Sequence, residues 1–130
     1  MAEFVEGLHA HLVADAGVTA AVGTRIYPIT PPQGPTMPYV VYDQTAGEPG
    51  SALGADIGLV WATINFDAFA ATYLEALQVQ TAIRSDIKRQ GWTQAGVTCV
   101  DAILMDTESD YEDEVSAYVA SVEYEFIYRE

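Results

Sequence analysis

Basic residues are few. Five Lys and Arg face nineteen Asp and Glu, for a formal net charge of −14 and a pI near 4.1. Nucleic-acid affinity rests mainly on cations displacing counterions from phosphates, so the charge argues against a DNA-gripping role, while DNA passing close by without sticking is compatible with it. Three of the five bases, Arg84, Lys88 and Arg89, fall near a predicted helix end, where they complement the helix dipole. Cysteine is nearly absent too. Cys99 stands alone, which rules out an internal disulfide, and its apolar surroundings suit a buried small hydrophobe. The only histidines, His9 and His11, are two apart, and on a helix such positions point roughly 200° from each other, so they cannot share a metal. They read as part of a solvated helix face, with His11 in reach of Asp15 at the next turn. No apolar run is long enough to span a membrane. The first residues, Met1-Ala2-Glu3-Phe4, carry an acid where a signal peptide would carry Lys or Arg, which reads as a product made in a cytoplasm that stays there unless something larger carries it out.

What remains is enough to fold. The chain has 130 residues, half of them apolar, which suits a single domain over 1–130 burying roughly two-thirds of its unfolded surface. Phe4, Leu8 and Leu12 recur every four residues and predict a helix over 2–14; a second turn over 16–22 should stop at Gly23. Five prolines between Pro28 and Pro38 predict an extended, stiffened segment, either a connector or a rigid arm for a neighbouring subunit. Tyr39–Thr45 reads as a strand and Ala46–Asp56, rich in Gly, as a long loop. Period-two alternation then marks strands over 57–69 and 115–128, with Val60, Ala62, Ile64, Phe66 and Ala68 on one face of the first. In the second, Tyr118, Ala120, Val122, Tyr124, Phe126 and Tyr128 oppose Ser121, Glu123 and Glu125. Thr72 and Glu75 form a capping box for a helix over 72–90, with a stripe of Ala76, Val79, Ile83 and Ile87. A further strand is predicted over 97–106. The order α-β-β-α-β-β predicts an α+β fold, an antiparallel or mixed four-stranded sheet with two main helices on one face, and a core including Ile64, Phe66, Ile83, Tyr124 and Phe126.

Six acids, Asp106, Glu108, Asp110, Glu112, Asp113 and Glu114, crowd nine residues. The first three imitate the opening of a calcium loop, but Tyr111 and Ala117 occupy its glycine and bidentate glutamate positions. The run therefore reads as a solvated turn between the last two strands or as a contact for a basic partner. Glu123 and Glu125 share the face opposite the aromatic stripe, so they must meet water, a channel or a neighbour's bases. No phosphate loop and no Ser/His/Asp set is present, which points away from an enzyme and from any cofactor.

One resemblance sharpens this. The stretch Leu8–Asp15, then Val22-Gly23-Thr24-Arg25-Ile26-Tyr27-Pro28, then Pro31-Pro32-Gln33-Gly34, then Met37-Pro38-Tyr39-Val40-Val41 resembles tail-terminator (tail-completion) proteins of long non-contractile phage tails. The likeness is dense over residues 8–42 and one of pattern beyond. Ala16 departs from it, standing where a proline is common, which weakens the predicted start of the second helix. The resemblance implies a six-membered ring in the virion that caps the head-proximal end of the tail tube, ends its polymerisation and joins tail to head. Its implied partners are further copies of itself, the tail tube protein and a head-completion or neck protein, with DNA passing through and no membrane. Arg25, Tyr27, Pro28, Pro38 and Tyr39 match the family motif and carry packing and turn geometry, not catalysis. Two other functions fit the sequence: another neck component such as an adaptor, or an acidic cellular module that sequesters a basic protein.

Overall fold

A computed structural model describes residues 2–52, 55–87, 91–94 and 96–129, of which 2–3, 46–52, 55–57 and 94 are described by backbone alone. Among these described residues, three helices, α1 (Ala2–Ala14), α2 (Ala16–Val22) and α3 (Tyr73–Asp86), accompany six strands. The strands are β1 (Ile26–Pro28), β2 (Tyr39–Ala52), β3 (Ala55–Ala70), β4 (Trp92–Gln94), β5 (Val97–Glu112) and β6 (Ala117–Arg129). They form one mixed sheet in the order β1-β2-β3-β6-β5-β4. The fold is α+β, with six strands where the sequence predicts four. The two additional strands are three-residue edge pieces: β1 pairs parallel to β2 over Val40–Tyr42, and β4 pairs antiparallel to β5 over Val97–Cys99. Such short pieces carry too few residues to show a period in sequence.

Two corrections concern the hairpins. Ala46–Ala52, predicted as loop, continues β2 and pairs with β3 as far as Ala52↔Ala55, with bulges after Gln44 and Pro49. The predicted acidic turn is mostly strand as well: β5 runs on to Glu112↔Ala117, and only residues 113–116 turn. Gly, Pro and acidic residues are poor strand formers in isolation, and here cross-strand pairing overrides that preference. The closed ends of the two hairpins lie at opposite ends of the sheet, since β3 and β6 pair from Leu59↔Arg129 to Ala70↔Tyr118.

All three helices cover one face. Phe4, Leu8 and Leu12 of α1, Val18 and Val22 of α2, and Val79 and Ile83 of α3 join Ile64, Phe66, Val122, Tyr124 and Phe126 in a single buried cluster. Ring contacts knit it: Phe4 stacks on Tyr128 at 4.2 Å, and Phe66 meets Phe126 edge-on at 6.3 Å. Full burial of side chains this size contributes roughly 1.5–3 kcal/mol each. Thr72 caps α3 by accepting the Glu75 amide at 3.2 Å, but the helix ends at Asp86, with extended Ile87 as its C-cap, rather than at 90, and residues 88–90 lie outside the described set. Despite Ala16, α2 starts cleanly because Asp15 accepts the Val18 amide at 2.9 Å. Gly23 closes it with φ +62°, a conformation that glycine, lacking a Cβ, adopts at little cost.

The histidines are a further correction, because they do not sit on a solvated face. His11 is 18% exposed, stacks on Trp92 at 4.5 Å and sets its Nε2 3.3 Å from Asp86 on α3. His9 turns its Nδ1 toward the Tyr42 hydroxyl at 3.4 Å. Asp15, engaged in its cap, is not the partner of His11. Cys99 is buried, and burial pushes its thiol up to about 12, so it stays protonated and inert at neutral pH.

Candidate functional site

The described helices all lie on one face of the sheet; on the other, Tyr39, Val41 and Val119 are buried toward one end, and acids collect beside them. In β6, residues 122, 124, 126 and 128 are buried while Ser121, Glu123 and Glu125 between them are half-buried on the open side. Directly paired residues on neighbouring strands share a face. Asp106 pairs with Glu123 and Glu108 with Ser121, and the register continues to Asp110↔Val119 and Glu112↔Ala117. Asp106, Glu108, Asp110 and Glu112 therefore alternate along the open side of β5, all exposed. On β3 the same rows continue through Asn65, opposite Glu123, and Asp67, opposite Ser121. Asp43 of β2, opposite Asn65, extends the row.

Sequence reasoning missed Asn65, Asp67 and Asp43, because only the register brings them to the acids. Asp67 is held in place: its Oδ1 accepts from the Ser121 hydroxyl at 2.6 Å and from the Asn65 side-chain amide at 2.9 Å. Asn65, Asp106, Glu108, Ser121 and Glu123 line a shallow depression of about 90 Å³ in the middle of this face. Glu125 lies one row over, between Thr63 and Ile103. Asp113 and Glu114 stand apart, on the exposed turn. Among the described residues no group of three His, Cys, Asp or Glu could hold a metal. The arrangement is a field of fixed negative charge, whose sign repels phosphate and attracts cations.

The motif residues Arg25, Tyr27, Pro28, Pro38 and Tyr39 lie at the far edge, around β1 and the start of β2. The Arg25 Nε donates to the Pro38 carbonyl at 2.8 Å, just after the cis Met37–Pro38 bond, and the Arg25 carbonyl accepts from Val40. Tyr39 stacks on Phe69 at 4.9 Å with Tyr27 beside it, and Pro28 pairs in register with Tyr42. These contacts tie the proline-rich segment to the sheet within one chain.

A groove on the helix side was not foreseen either. Thr81, Arg84 and Ser85 of α3 with Leu104 and Tyr124 line about 410 Å³. Burial raises the Tyr124 hydroxyl above its ordinary value, and the positive charge of the nearby Arg84 guanidinium acts against that.

Three comparisons bear on this geometry. The model of the family "Tail completion protein gp17" matches residues 6–129. No curated protein sequence matches. Among solved structures, a chain of the "Virion of native gene transfer agent (GTA) particle" superposes with a TM-score of 0.72 at 16% identity, covering 97% of each chain. At that identity the likeness establishes the fold.

Proposed function

The chain belongs to the tail completion protein gp17 family of phage tail structural proteins, and from that membership we propose that it forms a closed ring at the head-proximal end of a tail tube. The ring ends tube polymerisation and offers the surface to which the filled head docks; the role is one of shape, with no chemical step. The observation that carries the proposal is the family match across nearly the whole chain. The fold shared with a chain of a gene transfer agent virion supports placing this protein in a particle of that kind.

Geometry supplies the mechanism. A heterologous interface whose rotation closes makes a ring, and a ring with one face shaped like the last tube layer stops growth there. Its centre must let DNA slide. In this proposal the open sheet face, with Asp106, Glu108, Glu123 and Glu125, lines that path. Fixed carboxylates repel phosphate, so DNA passes without being held. The alternating acids of β5 also discourage unwanted pairing along its outer edge.

Particles made without this protein test the proposal. The expected result is overlong or unjoined tails beside full heads. Tails of normal length, with a defect only in DNA packaging, would point instead to an adaptor on the head side.

A further inference from the structure

We infer that the ring is closed by charge. The acidic turn of one copy, Glu112 to Glu114, seats in the Arg84 groove of the next. The inference rests on the ring proposed above and names its interface.

Charge in this chain is segregated as well as unbalanced. Three of its five bases, Arg84, Lys88 and Arg89, fall within six residues, while six acids fall between 106 and 114. Arg84 is exposed at the rim of the groove formed with Thr81, Ser85, Leu104 and Tyr124. A guanidinium has five donors in a fixed fork, and the Ser85 hydroxyl lies in the same lining. That donor set suits a carboxylate. The volume of about 410 Å³ is ample for a turn carrying one or two acidic side chains.

A copy cannot fill its own groove. Tyr124 lines the groove, and the hairpin closes at Ala117, seven residues away along the same strand, a span of roughly 23 Å. The acids of the turn project from the far end of β5 and β6, exposed along with Tyr111 and Val115. Donor patch and acceptor patch are thus different surfaces on one chain. That is the definition of a heterologous contact, which propagates from copy to copy until it closes. Elsewhere two copies at −14 each repel, so a specific opposite-charge contact is where association can be favourable.

Charge reversal tests this, with capping of tail tubes as the readout and the unmodified protein as reference. Arg84→Glu alone, or Glu112→Lys with Glu114→Lys alone, should lower the yield of capped tails at least about tenfold. Combining all three in one chain swaps the polarity of both surfaces and should restore capping to within about threefold of the reference. Single reversals that leave capping unchanged, or a combined variant no better than the singles, would overturn the inference. Because Arg84 lines the groove together with buried Tyr124, a second measurement covers any loss of folding in Arg84→Glu. Ser85→Cys with Asp113→Cys should give a ladder of disulfide-linked copies in particles, with buried Cys99 silent; linked pairs absent under oxidation would overturn it as well. If the unmodified protein does not cap tubes at all, the ring reading itself fails, which is a separate result.

Discussion

The two faces of β6 separate what folds the chain from what the fold presents. Val122, Tyr124 and Phe126 point into the helices and are buried, while Ser121, Glu123 and Glu125, alternating with them, face away and stay half-exposed. One face obeys close packing, where a lost methylene is felt at once. The other holds carboxylates with room around them, so its identity is set by what passes or docks there. A single strand serves both because its side chains alternate.

The sharpest way to break this contrast is to cut into the covered face. Phe126→Ala, at a fully buried site between Phe4 and Phe66, should cost roughly 3–5 kcal/mol in denaturant unfolding. A loss below about 1 kcal/mol would mean the core lies elsewhere. Alkaline pH probes the same face without mutation. Burial lifts the Cys99 thiol from its ordinary 9.0 to about 12 and moves the hydroxyls of Tyr39, Tyr42 and Tyr124 upward too. The folded chain keeps these protons where the unfolded chain releases them. Stability is therefore intact below pH 9 and falls as the pH climbs toward 12, visible as a declining melting temperature. Cys99→Ala should flatten the thiol's share of that decline. Smaller still is Thr72→Ala, which removes the α3 cap and should cost about 1 kcal/mol.

On the open face the expected stability change is smallest and the functional change largest. Glu123→Lys with Glu125→Lys, or Asp106→Lys with Glu108→Lys, should shift stability by no more than about 0.5 kcal/mol per site. DNA release should slow, with its rate now dependent on salt, because phosphate is attracted and held. Unchanged DNA release together with lost ring or tube docking would make these acids interface contacts instead.

Much of the covered face was legible in the sequence. The period-two runs at 60–68 and 120–128 and the box at Thr72 and Glu75 depend on neighbours within a few residues, so local pattern reveals them. The extension of β2 was not legible as strand. Gly47, Pro49 and Gly50 speak for a loop on propensity, and only pairing with β3 makes that stretch extend. Asp106, Glu108, Asp110 and Glu112 do alternate with Thr107, Ser109 and Tyr111, so a strand was visible there beneath the charge density that suggested a turn. Asp67 and Asn65 could not be assigned to the acidic face without the β3–β6 register. The His11–Asp86 contact joins two helices distant in sequence, and no local rule anticipates it.

A reconstruction of the head-proximal end of the tail by electron microscopy bears most directly on the proposed ring and its charged lining. The expected density shows copies of this chain closed around the tail axis, with Glu123 and Glu125 facing the channel and α1 and α3 facing outward. Copies placed elsewhere in the particle, or a ring whose helix-covered face meets the DNA, would contradict it.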